Sequence, residues 1–153
     1  MKHPEKVNKL ILYAMGWKGN PARKSTPMPK EQYRINSEAA ARSDFIAGQF
    51  EADVVEKYVE EALAADPKSP NGVVVDSITK FPILQPPLIR VPTFIIHPEK
   101  DFLASEAETL EFFGKLGTNY KSYVALPDGG HAIMLEKNYK KFQSAVLGFL
   151  NQP

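Results

Sequence analysis

Three short apolar runs stand out along the chain because they are continuous rather than alternating: "KLILYAM" at 9–15, "VPTFIIH" at 91–97 and "SYVALP" at 122–127. A strand covered by helices on both faces reads this way, so the pattern predicts buried strands of a parallel α/β sheet. Between the second and third runs, in "ASEAETLEFFGKLG", Ser105 and Glu108 have capping-box spacing and Gly117 stands where a C-terminal cap belongs. That segment is expected to be a helix. Beyond the last run, Leu135, Tyr139, Phe142, Val146 and Leu150 recur at intervals of three or four, one stripe of a closing helix. Residues 91–153 therefore predict strand, helix, strand, helix, and right-handed crossovers lay the two strands side by side.

Residues 17–90 have another texture. They hold eight of the 13 prolines, beginning with a basic coil, "KGNPARKSTPMPK". A helix is expected from about Ser37 to Phe50. A second, in which Val55, Tyr58, Val59, Ala62 and Leu63 share a face, should stop at Asp66-Pro67. The apolar segment "FPILQPPLIR" is broken by prolines and cannot be a central strand. The expectation is a core strand within 1–16, a helical insertion over 17–90 and a C-terminal core over 91–153.

The candidate chemistry follows from where the strands end. Ligands of open parallel sheets bind beyond the carboxyl ends of the strands. Asp101 lies a few residues past "TFIIH", and His131 follows "YVALP" in "LPDGGHAIMLEK". An acid and an imidazole are thus aimed at one edge. Asp101 can accept the Nδ1 proton of His131, fix its tautomer and leave Nε2 free as a general base. The two glycines before the histidine are read as hinges that turn the loop back toward the carboxylate.

Composition adds exclusions. A length of 153 residues suits one domain, and 43% hydrophobic with 24% charged residues is ordinary for a globular chain. A net charge of +1 builds no broad positive field, which disfavours nucleic acid despite the cluster Lys18, Arg23, Lys24, Lys30 and Arg34. With no cysteine there is no disulfide, thiol nucleophile or thiolate metal site, and a cytoplasmic location is expected. No apolar run reaches membrane-spanning length, and the start of the chain reads as a strand, not a targeting signal. A zinc site can be drawn from His97, Glu99, Asp101 and His131, but His97 is as easily the last residue of a strand, and no metal or cofactor is expected.

The order "VPTFIIHPEKD", helix, "LPDGGHAIMLEK", closing amphipathic helix resembles the C-terminal third of an α/β-hydrolase, and "HPEKVNKLILYAMGW" resembles the strand before the lid of that family. The resemblance is nearest to lid-bearing serine hydrolases of the lysophospholipase, monoacylglycerol-lipase and aminopeptidase-like kind. It covers nearly the whole chain. It implies the C-terminal part of an α/β-hydrolase fold with parallel strands flanked by helices, a helical lid at 17–90, Asp101 as triad acid and His131 as triad base. It further implies action on esters or amides with an apolar acyl group, with Phe81, Ile83, Leu84, Pro86, Pro87 and Leu88 giving the lid apolar surface. At Pro98 the family often has glycine.

A second departure is larger. The family's nucleophile sits in G-x-S-x-G and precedes acid and base in chain order. None of Ser25, Ser37, Ser43, Ser69, Ser77, Ser105, Ser122 and Ser144 is so flanked; Ser105 reads as a helix cap and Ser122 as part of a strand. The serine is expected before Met1, on an N-terminal half that would also pair with "KLILYAM". Alone, the chain is expected to be inactive toward esters and, through an open strand edge, to self-associate or need its other half. The alternative is a serine-less pseudoenzyme that binds an acyl ligand or a protein partner.

Overall fold

In the computed structural model, which describes residues 3–19 and 27–152, the chain forms β1 (Leu10–Tyr13), β2 (Tyr33–Ile35), α1 (Glu38–Arg42), α2 (Ala52–Ala65), β3 (Lys68–Pro70), α3 (Gly72–Thr79), β4 (Thr93–Pro98), α4 (Glu106–Lys115), β5 (Lys121–Leu126) and α5 (Tyr139–Leu150). Part of the basic coil, including Arg23, Lys24 and Ser25, lies outside the described residues.

The three apolar runs pair as one parallel sheet in the order β1-β4-β5, with Ile11 opposite Phe94 and Ile95 opposite Tyr123. Every residue of β4 is buried, because helices cover both of its faces. Ile95 packs with Trp17, Phe112 and Leu116 on the α4 side, while Phe94 and Ile96 pack with Leu126, Ile133 and Phe149 on the α5 side. This α/β/α layering is an α/β fold of parallel strands flanked by helices.

Ser105 caps α4 by accepting from the Glu108 amide at 3.2 Å. Gly117 has another role than the expected left-handed cap. The helix ends at Leu116, and a Cβ on Gly117 would run into the Pro87 carbonyl, so this glycine permits close backbone approach. On α5 the inward set is Phe142, Ala145, Val146 and Phe149; Leu150 and Leu135 of the expected stripe are exposed. The helix is rotated because Phe149 stacks beside Phe94, ring centroids 5.2 Å apart.

The segment between β1 and β4 departs further from expectation. The helix expected over 37–50 stops at Arg42. Ser37 caps its start, Ser43 Oγ bonds back to the Ala40 carbonyl, and the Asp44 and Gln49 carbonyls accept from the Ala132 and Lys137 amides of a distant loop. α2 ends at Asp66 as anticipated, with Val55 and Val59 buried. The antiparallel β2–β3 ladder and α3 carried no clear signal: β2 is wholly exposed and α3 buries no residue. Ile83, Leu84 and Leu88 do not face the strand ends; with Leu10 and Leu12 they line a cavity of about 360 Å³ along β1, an edge strand of the sheet. No described helix is long and apolar enough to cross a membrane.

Candidate active site

The site stands where β4 and β5 end. After Pro98 the chain turns tightly, the Asp101 amide donating to the Pro98 carbonyl at 3.1 Å. Proline at the last position of a strand costs no ladder bond that matters here, since the register already ends at Pro98–Leu126. The next loop is sewn to this turn. Lys100 N donates to Gly129 O at 2.9 Å, Asp128 N donates to Glu99 Oε2 at 2.9 Å, and Lys100 Nζ lies 2.8 Å from Asp128 Oδ1.

Between these loops the structure brings Asp101 and His131 together. His131 Nδ1 is 3.3 Å from both carboxylate oxygens of Asp101. The Asp101 side chain is 0% exposed, while that of His131 is 29% exposed. Oδ1 also accepts from the Leu103 amide at 2.8 Å, which fixes the carboxylate plane. The hydrogen bond from His131 to Asp101 holds the imidazole pKa above its ordinary value, with burial opposing and the nearby Asp44 charge assisting. Asp44, half-buried in the segment after α1, has its own carboxyl pKa raised by desolvation.

The hinge reading of the glycines needs correction. Neither Gly129 nor Gly130 adopts positive φ; the left-handed residue of this turn is Asp128, at φ 58°. The glycines serve close packing instead. A Cβ on Gly129 would strike the Ile133 side chain, and one on Gly130 would lie 2.5 Å from Glu136 Oε1 and 2.7 Å from Ile46 Cγ1. The space is taken, so only hydrogen fits.

Two neighbours escaped the sequence reading. Tyr13, the last residue of β1, donates from its hydroxyl to the His131 carbonyl and packs edge-on against Phe142 at 5.0 Å. Burial drives its phenol pKa upward, so it remains a donor. Glu136 is 1% exposed and accepts from the Gly130 amide at 3.0 and 3.2 Å. A single glutamate in a polar stretch gives no sequence signal for burial. Phe102, largely exposed, sets its ring 6.0 Å from that of His131 and makes one wall apolar.

His97 is placed elsewhere. It is buried in β4 beside Tyr123, ring centroids 6.5 Å apart, and its Nδ1 has no partner among the described residues. Among the described residues no three acidic or imidazole groups converge to hold a metal ion. His3 is exposed and lies 3.2 Å from Glu5 Oε1.

A parallel sheet between helices, with an acid after one strand and a histidine after the next, defines an α/β-hydrolase fold, and comparison with solved structures agrees. The chain superposes on the monoacylglycerol lipase of Paleococcus ferrophilus with a TM-score of 0.70 at 14% identity, covering 97% of this chain and 60% of that one. It superposes on a metagenome-derived lipolytic enzyme with a TM-score of 0.66 at 16% identity, covering 97% and 57%. Against a thermophilic esterase from Thermogutta terrifontis the values are 0.64, 18%, 97% and 57%. The chain thus spans less than two thirds of the length of these proteins. No curated protein sequence matches it. The profile of the serine aminopeptidase family, S33, matches residues 1–138, and the chain belongs to that family.

Proposed function

We propose that this chain is the acid- and base-bearing portion of a serine hydrolase that cleaves carboxylic esters or amides with an apolar acyl group. The observation that carries the reading is the Asp101–His131 pair: a shielded carboxylate 3.3 Å from Nδ1 of a partly exposed imidazole, at the ends of adjacent parallel strands. That arrangement holds Nδ1 protonated and leaves Nε2 to take a proton from a serine hydroxyl as it attacks the acyl carbon, then to return it to the leaving group. A water, activated by the same nitrogen, then releases the acid and frees the serine.

The serine is supplied by residues preceding β1, in a G-x-S-x-G turn that also brings an oxyanion-hole amide. Residues 17–90 form the lid, and the exposed ring of Phe102 offers apolar surface to the acyl group. Without a nucleophile, a loss on the order of a million-fold leaves the separate chain inactive. Its open β1 edge makes it self-associate or require the N-terminal half.

The test is to read the coding DNA upstream of the Met1 codon and assay both products on a p-nitrophenyl ester. An in-frame G-x-S-x-G and turnover by the longer product, abolished by His131→Ala, are expected. Unrelated upstream sequence, or His131-dependent turnover by the separate 153-residue chain, would overturn the proposal.

A further inference from the structure

Glu136 is a buried carboxylate to which the acid–base pair assigns no task. It is five residues past His131, at the end of a short helical turn spanning Ile133–Leu135, and is 1% exposed. Burying a carboxylate is costly unless hydrogen bonds replace its water. Here the replacement is a backbone amide of the histidine-bearing turn. Gly130, the residue before His131, donates at 3.0 and 3.2 Å to the two oxygens. Burial pushes the Glu136 carboxyl pKa up, with the backbone of Gly130 and of Ile46, in the segment following α1, opposing.

The same two segments meet on both sides of this carboxylate. Ala132 N donates to Asp44 O at 3.3 Å, Lys137 N donates to Gln49 O at 2.6 Å, and Ala132 packs in a cluster with Phe45, Val55 and Val59. The Ile46 side chain stands so near Gly130 that a Cβ there would come within 2.7 Å. Glu136 therefore holds the backbone amide directly before the imidazole, where the histidine-bearing turn meets the segment between β1 and β4.

We infer that Glu136 is a positioning residue for His131, holding the Gly130 amide where the histidine turn meets the 44–50 segment so that Nδ1 meets both oxygens of Asp101. The inference rests on the acid–base reading of Asp101 and His131 given above. Glu136 acts through the backbone. The charges that raise the affinity of His131 for its proton are those of Asp101 and Asp44, and Glu136 is not among them. The titratable groups facing the site are Asp44, Asp101 and Tyr13 around the imidazole and Lys100 near Glu136. A bond between a buried acceptor and a glycine amide is well suited to this work, since Gly130 has no side chain to fix its own orientation.

The test is nuclear magnetic resonance of the full 153-residue chain as wild type, Glu136→Gln, Glu136→Ala, Asp101→Asn and Lys137→Ala. The readouts are the His131 ring titration, the downfield Nδ1–H resonance and exchange of the Gly130 amide. In Glu136→Ala the Nδ1–H resonance should be lost, the His131 pKa should fall by about half a unit or more as alignment with Asp101 is lost, and Gly130 should exchange about tenfold faster. Glu136→Gln keeps one acceptor and the shape. It should fall between wild type and Glu136→Ala, and it is the deciding variant where the alanine protein does not fold. Lys137→Ala, which severs the ion pair to Glu51, should match wild type. If the readouts respond to Asp101→Asn but stay at wild-type values in the folded Glu136 variants, the positioning role is overturned. If they do not respond to Asp101→Asn either, the acid–base reading itself fails.

Discussion

The sheet with its two flanking helices and the segment between β1 and β4 are built on different terms. In β4 all six residues are buried, and each face meets a helix carrying matched apolar groups. In the intervening segment β2 is exposed throughout, α3 buries nothing, and the buried cluster around Phe45, Val55 and Val59 includes Ala132 from the histidine loop. The sheet defines where two strand ends lie. The segment takes its shape from what it touches at those ends.

That contrast implies a ranking of effects. Phe112, 0% exposed beneath the sheet, should be the costliest truncation: Phe112→Ala is expected to destabilise by about 3–5 kcal/mol, measured by denaturant melting. A loss under 1 kcal/mol would mean the sheet core is not the stabilising half. Gly130→Ala probes the seam, where the new methyl meets Glu136 and Ile46. Overpacking there should cost about 1–3 kcal/mol and, unlike Phe112→Ala, weaken the Asp101–His131 pairing in a folded protein. A variant as stable as wild type would show the seam to be loose.

The pH dependence is a smaller effect with a definite sign. Because the folded pKa of His131 is raised, pairing with Asp101 contributes its full stability below the unfolded value, about 6.5, and loses it as pH rises through the folded value. Melting temperatures should therefore carry a component that declines across that window and disappears in Asp101→Asn. The same component in both proteins would exclude the pair as its source. Least affected should be Val73, 67% exposed on α3, where Val73→Ala should change stability by less than about 0.5 kcal/mol. A larger loss would show α3 to be packed against something that stabilises it.

The same division explains what could be read from the sequence. Continuous apolar runs report two covered faces, so β1, β4, β5 and the punctuated helix α4 were legible, and with them the strand ends that carry Asp101 and His131. Ser105 acts as the cap its spacing suggested. The helix over 37–50 was not legible as a short one, because its end is set by bonds from Ala132 and Lys137 that no local pattern records. The turn before His131 was misread for a related reason. Its glycines are required only in part by a distant side chain, that of Ile46; Glu136 and Ile133 nearby fill the rest, and neither looks like a packing partner in sequence. Tyr13, arriving from the far end of the chain, was invisible for the same cause.

The central claim is that Asp101 and His131 act as a coupled pair, and the most direct measurement is the titration of the His131 ring in wild-type chain and in Asp101→Asn. A pKa above that of an ordinary histidine in wild type, falling in the variant, is the predicted result. An ordinary wild-type value that Asp101→Asn leaves unchanged would contradict the account.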